Sequence, residues 1–231
     1  MTKKSYLVID TETLSDYVFD VGYTMVDRAG NVLATGSYVV EEVVTDPITY
    51  NAFNDRFMGG EKIANYYYNL FMGTNFEVKP FGYIRAKLNE LAAGNVVVCA
   101  YNSAFDAKHL DLTSEHFGFG KFFNHDVQWW DIWHIAMATL LDSVKFAKFV
   151  VEHERYTGKG NAGTGAEVCY QFITDEPTFE EEHTAFADSQ IEAAILERCF
   201  KTHRKLETEP VGFCTRNKAW QRVQTKTKAQ Q

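Results

Sequence analysis

Carboxylates recur at three places in this sequence where their neighbours make them unusual. Asp10-Thr11-Glu12 ends the short run of β-formers Tyr6-Leu7-Val8-Ile9. On a strand, residues i and i+2 share a face, so Asp10 and Glu12 project together. Two like charges so placed repel unless a cation or a shared proton lies between them; the plain alternative is two solvated acids at a strand end. Asp106 closes the segment Tyr101-Asn102-Ser103-Ala104-Phe105-Asp106, directly after the apolar run Val96-Val97-Val98-Cys99-Ala100. That order places Asp106 at the start of a helix beside a central strand, where capping and the helix dipole would also account for an Asp. Asp188 lies in His183-Thr184-Ala185-Phe186-Ala187-Asp188, within a helical pattern that continues through Ile191, Ala194 and Ile195. An ionised carboxylate facing a core is costly unless it is paired or binds metal. His183 precedes Asp188 by five residues, about 140° round an ideal helix. For both to reach one site, the histidine must sit in the entry loop or in a distorted first turn. Glu180-Glu181-Glu182 reads as a solvated helix start favoured by the dipole.

The elements that must position these groups follow from periodicity. Residues 6–9, 19–26 and 32–44 are rich in Val, Tyr and Thr, with the turn signal Asp27-Arg28-Ala29-Gly30-Asn31 between the last two. They predict an antiparallel meander of three strands. Residues 46–60 read as a connector. Residues 61–71 and 81–93 carry helical spacing, with Pro80 at the second start. The apolar run 96–100 reads as a buried central strand. Helices are expected from Ser103 to about Phe117, from Asp131 to about Ala147, over 164–173, and from His183 to about Phe200, with a short strand over 127–130. Gly158, Gly160, Gly163 and Gly165 mark a loop, which lacks the Lys-Ser/Thr ending of a phosphate-binding loop. Strands, helices, strand, helix, strand and helices predict an α/β fold with a mixed sheet.

Composition bounds the rest. The chain has 231 residues, 45% hydrophobic and 23% charged, with 15 Gly and 4 Pro, which excludes disordered and fibrous classes. No apolar run approaches the ~18–20 residues of a membrane span. No signal-like segment follows Met1-Thr2-Lys3-Lys4-Ser5, and a cytoplasmic protein is expected. Cys99, Cys169, Cys199 and Cys214 show no paired spacing and read as reduced thiols. The net charge is −8, which counts against a partner held by a basic field. The charge is uneven: from Val211 onward there are five basic residues (Arg216, Lys218, Arg222, Lys226, Lys228) and no acid. That end reads as a solvated, frayed terminus. Among the aromatics, Tyr66-Tyr67-Tyr68 and Trp129, Trp130 and Trp133 are read first as core, with base stacking as the functional alternative. The remaining histidines show no metal-ligand pairing and read as core or surface groups.

Taken together, D-x-E near the start, N-x-x-x-D after a central strand and H-x-x-x-x-D on a late helix resemble the DEDDh (DnaQ-like) 3′–5′ exonucleases of the ribonuclease H-like superfamily, in a stand-alone bacterial or phage-type form. The resemblance covers about residues 5–200. Three positions depart from the family pattern: Thr13-Leu14-Ser15 follows the first pair, Tyr101 stands where a histidine is common, and Ile132 follows Asp131.

The resemblance implies a ribonuclease H-like mixed β-sheet, antiparallel at its N-terminal strands and otherwise parallel, flanked by α-helices. Residues 1–210 would form the exonuclease domain and 211–231 a basic C-terminal tail. It implies two divalent ions, Mg²⁺ or Mn²⁺, on Asp10, Glu12, Asp106 and Asp188, with His183 as general base and 5′-monophosphates as products. Thr13, Leu14, Asn102 and Phe105 would touch the terminal nucleotide. The expected partner is the 3′ end of single-stranded DNA or RNA, with DNA favoured; a homodimer is allowed and a polymerase partner is not implied. The alternatives are a catalytically inactive nucleic-acid-binding module of the same fold and a phosphoesterase on short oligonucleotides, such as an oligonucleotide-specific exoribonuclease.

Overall fold

Branched and aromatic residues in alternation place β1 (Ser5–Leu14) at the centre of a six-stranded sheet. The computed structural model describes residues 3–14, 16–45, 76–203, 206 and 218–231. The connector over 46–60, the expected helix over 61–71 with its three tyrosines, Cys214 and Arg216 lie outside these residues. The other strands are β2 (Tyr17–Asp27), β3 (Val32–Val40), β4 (Glu77–Lys79), β5 (Val96–Ala100) and β6 (Trp129–Asp131). Their order is β4-β3-β2-β1-β5-β6. The β1–β2 and β2–β3 pairs are antiparallel, and β1–β5, β5–β6 and β3–β4 are parallel. This is the mixed sheet the sequence predicts, with the third strand shortened, the first extended to Leu14 and one strand, β4, that the sequence pattern did not predict. The third strand stops at Val40 because Glu41 opens a short helix, α1 (Glu41–Thr45). The Glu42 carboxylate then accepts the Phe81 N–H at 2.9 and 3.1 Å, capping α2 (Phe81–Leu91), whose Pro80 offers no side-chain cap.

The strand period of two sends alternate residues of β1 into two cores. Leu7 and Ile9 pack with Phe81, Ile84 and Leu88 of α2 and Leu110 of α3 (Ser103–His116). Tyr6 and Val8 pack on the opposite face. That face is covered by α4 (Ile132–Ala136), α5 (Val144–Glu152), α6 (Ala166–Thr174), α7 (Ala185–Thr202) and α8 (Ala219–Lys228). Helices on both faces account for the unbroken apolar character of β5. Cys99, Cys169 and Cys199 are buried free thiols, as expected. Trp130 is core: its ring centroid lies 5.5 Å from Tyr6 and 6.3 Å from Phe200.

The single helix expected over 131–147 is instead three pieces. After α4 the chain widens to a π-helical turn at Met137–Leu141, stops at Asp142, and restarts on Ser143, whose Oγ accepts the Phe146 N–H at 3.1 Å. The cap signal is Ser143, hidden in an otherwise continuous helical pattern.

The frayed basic terminus is also corrected. Residues 219–228 form α8, which places Ala219 and Val223 in the core; Val223 is 1% exposed. Two of its cations are spent on Asp142: Arg222 Nε and Lys226 Nζ each lie 2.6 Å from its carboxylate oxygens. The Gln224 Oε1 accepts the Ala162 N–H at 2.9 Å. Deleting residues 211–231 therefore exposes part of the core and orphans a buried amide. We expect it to cost about 2.5–6 kcal/mol, from ~1.5–3 for a buried Val and ~1–3 for the amide. Urea unfolding measures this, and a deletion with wild-type stability would show that α8 is not part of the packed unit.

Candidate active site

The sheet brings the three carboxylate segments to one edge. Val8 of β1 pairs with Cys99 of β5, so Asp10 lies level with the residues just beyond the end of β5, where α3 begins. Asp106 enters from the first turn of α3 and is 2% exposed. Its carboxylate does not cap the helix; Oδ1 accepts the Thr11 hydroxyl at 2.8 Å, which ties α3 to β1. Asp131 ends β6 beside Ala100. Its Oδ1 accepts the N–H groups of Asn102 at 3.3 Å and His134 at 3.2 Å, so it serves the turn and α4 as a cap.

The fourth carboxylate arrives because β2 allows close approach. Asp10 pairs with Gly22, and a Cβ on Gly22 would lie 2.1 Å from the backbone carbon and oxygen of Ala185. Only glycine lets the start of α7 rest directly on β2. Two further contacts fix that helix: Asp20 Oδ2 accepts the Ala185 N–H at 3.1 Å, and the Thr24 and Ser189 hydroxyls meet at 3.0 Å. Thr184 caps α7 through the Ala187 N–H at 3.3 Å. Asp188, one turn in, then faces β1.

Carboxylate oxygens of Asp10, Glu12 and Asp188 lie within 4.8 Å of one another. Asp106 is outside that trio, yet its charge raises Asp10. Burial first, then the charges of Glu192, Asp106, Asp188 and Glu12, hold the Asp10 carboxyl well above the ordinary carboxylate range. Burial pushes Asp106 up to about 7. Burial and the charges of Glu181, Glu12, Asp20 and Glu182 push Asp188 up to about 8. Asp188 Oδ1 is buried without a hydrogen-bond partner among the described residues. So many acids, with an orphaned carboxylate oxygen among them, hold protons or await a cation. An oxygen-only donor set fits a hard divalent ion such as Mg²⁺ or Mn²⁺.

Sequence reasoning missed Glu192. It lies on α7 one turn beyond Asp188, is 3% exposed, and its Oε2 accepts the Tyr101 N–H at 3.1 Å. Its charge is the largest of those acting on Asp10. The available signal was an acid four residues after Asp188, on the same helix face, amid Ile191, Ala193, Ile195 and Leu196.

His183 occupies the entry loop before α7, with a left-handed φ of 54°, as the angular argument requires. Its imidazole is grouped with Glu167 and Glu181, not with the Asp10 trio. Of the four expected substrate contacts, Asn102 and Phe105 are exposed; Phe105 is 41% exposed, with its ring 4.4 Å from that of His109. Thr13 and Leu14 are buried, Leu14 in the core beneath the sheet. The β1 register shifts between Glu12 and Thr13, a bulge at the site's edge.

No family model and no curated protein sequence matches this chain. Solved structures do. E. coli exonuclease I in complex with a dT13 oligonucleotide superposes with a TM-score of 0.57 at 14% identity, over 88% of this chain and 42% of that one. Product-bound exonuclease I gives 0.53 at 14% identity, over 88% and 44%. An exonuclease I complex with SSB-Ct gives 0.54 at 13% identity, over 89% and 43%. The fold is ribonuclease H-like. This chain spans less than half the length of those exonuclease I chains. Asp10 and Glu12 on β1 lie beyond the level of the C-terminal end of its parallel neighbour β5, and Asp106 follows that end on α3, where open α/β sheets place their sites. No described helix is long and apolar enough to cross a membrane.

Proposed function

We propose that this protein is a metal-dependent 3′–5′ exonuclease that releases nucleoside 5′-monophosphates from single-stranded nucleic acid, DNA before RNA. The observation that carries the reading is the convergence of Asp10, Glu12 and Asp188 within 4.8 Å, with Asp106 at their side. Asp10, Glu12, Asp106 and Asp188 would hold two divalent cations, which when bound supply charge neutralisation at a phosphodiester and activation of water. Phe105, exposed beside Asp106, offers a face for the terminal base. His183 accepts the proton of the attacking water at an imidazole nitrogen. The net charge of −8 is compatible with this, because bound cations reverse the local field at the site.

The test is digestion of end-labelled single-stranded DNA and RNA with Mg²⁺ or Mn²⁺. We expect laddering from the 3′ end and a loss of about 10²–10⁴-fold in His183→Ala, the range for a general base. Intact label with both metals and both nucleic acids sinks the reading. Laddering that persists unchanged in His183→Ala removes the histidine from its role and leaves the rest.

A further inference from the structure

The loop that carries His183 is fastened by the helix before it. The Arg155 guanidinium donates to the Pro177 carbonyl, and Gln171 Nε2 donates to the Phe179 carbonyl at 2.7 Å. Glu167 Oε2 accepts the Glu181 N–H at 3.1 Å, while Glu167 Oε1 accepts from Gln171 Nε2 at 3.2 Å. Gln171 is 1% exposed and Glu167 half-buried on α6, while Arg155 reaches the loop from the turn that follows α5. The result is a fixed carboxylate: Glu181 Oε2 lies 3.8 Å from His183 Nδ1, and ligand-type atoms of Glu167, Glu181 and His183 lie within 4.8 Å of one another.

We infer that Glu181, held in place by Glu167, is a positioning residue for His183. The inference rests on the exonuclease reading above. At 3.8 Å the carboxylate acts on Nδ1 by its charge rather than through a hydrogen bond; that charge favours the proton on Nδ1 and leaves Nε2 to accept one. When Nε2 takes the proton from water, the imidazolium faces that carboxylate, which stabilises it. No bond other than the water O–H and the new N–H changes in this step. Among the described residues, the acids grouped with the imidazole are Glu181 from its own loop and Glu167 from α6; Glu181 and Glu182 also act on Asp188 of α7, together with Glu12 of β1 and Asp20 of β2. Glu181 differs from the others by the backbone anchor that fixes its place relative to the ring.

The experiment measures kcat and KM on an end-labelled single-stranded oligonucleotide at saturating Mn²⁺ from pH 6 to 9. The proteins are wild type, Glu181→Gln, Glu181→Asp, His183→Ala and the double variant Glu181→Gln/His183→Ala. Glu181→Gln is expected to lower kcat about 10-fold or more with KM within about twofold, and to move the acid limb of the kcat profile to lower pH. Glu181→Asp recovers much of the loss. The double variant is no slower than His183→Ala, because the carboxylate acts only through the ring. An NMR titration of the His183 imidazole reads the same contact without turnover: its midpoint falls in Glu181→Gln. A wild-type kcat and pH profile in Glu181→Gln, an unmoved titration midpoint, or a double variant about 10-fold below His183→Ala overturns the inference. An inactive wild type whose titration midpoint still moves on Glu181→Gln defeats the exonuclease reading and keeps the Glu181 contact.

Discussion

Replacing Asp10 with asparagine is expected to reduce nuclease activity by about 10³-fold or more and, at the same time, to raise the melting temperature of the metal-free protein. Both outcomes follow from one geometry. Asp10 stands on β1 opposite Gly22, with Glu12 beside it and Asp188 brought onto it by α7. Burial, and then the charges of Glu192, Asp106, Asp188 and Glu12, oppose its ionised form. Asparagine has nearly the same shape and no charge, so it relieves the repulsion while removing a carboxylate that, on the exonuclease reading, would hold a cation. Relief of about 1–2 kcal/mol is typical of a site whose strain serves function. For a chain of this length that is about 2–8 °C, at ~2–4 °C per kcal/mol. Thermal unfolding in EDTA, beside product release in Mn²⁺, checks both arms. The wild-type rise in melting temperature with Mn²⁺ should shrink in the variant. A variant that melts lower than wild type in EDTA would mean that the Asp10 carboxylate is a satisfied structural group, and the cation site would have to be sought elsewhere.

Much of this site was legible in the sequence, because its parts obey local rules. The period of two fixes Asp10 and Glu12 to one face, and the helical angle from Asp188 asks for His183 in the entry loop or a distorted first turn if both serve one site; it lies in the loop before α7, grouped with Glu167 and Glu181. What was not legible depends on contacts between distant elements. Glu192 looked like any acid on an amphipathic helix; only the pairing of α7 with β1 and the Tyr101 amide turns it into a member of the cluster. Glu180-Glu181-Glu182 read as a uniform solvated run, yet Glu167 takes the Glu181 amide and singles that residue out. Burial, with the charge of Glu167, pushes its carboxyl up to about 7.

The basic C-terminal end shows the same limit from the other side. Charge composition argued for a frayed segment. The apolar pair Ala219 and Val223 at i, i+4, with Asp142 waiting to receive Arg222 and Lys226, makes it a docked helix. Asp142 is also where the long helix pattern breaks, so one residue missed as a helix stop is the residue that receives the terminus. Arg222 and Lys226 are thus held by Asp142 in the fold.

Burial of the carboxylates at the sheet edge makes stability depend on pH in a direction opposite to that of an acid whose carboxyl folding holds low. The ordinary Asp value is 3.8, whereas Asp106 is pushed up to about 7 and Asp188 to about 8. Between those values the native state binds more protons than the unfolded chain, so stability falls as pH rises. The contribution of these groups is fully present below the unfolded value and is lost by the time pH passes about 8. A single fully shifted group gives a slope of about 1.4 kcal/mol per pH unit at most, and neighbours that share protons give less each. A bound cation replaces those protons, so its stabilisation must grow with pH. We therefore expect the metal-free protein to melt about 5 °C or more lower at pH 8.5 than at pH 6, at ~2–4 °C per kcal/mol. Mn²⁺ is expected to raise the melting temperature more at pH 8.5 than at pH 6, bringing the two curves together. Asp188→Asn should flatten the metal-free pH dependence, since it removes a group that carries it. Thermal unfolding from pH 5 to 9, with EDTA and with Mn²⁺, measures all three. A flat metal-free profile together with an equal Mn²⁺ increment at both pH values would show that the carboxylates are not the proton-or-cation site their geometry describes.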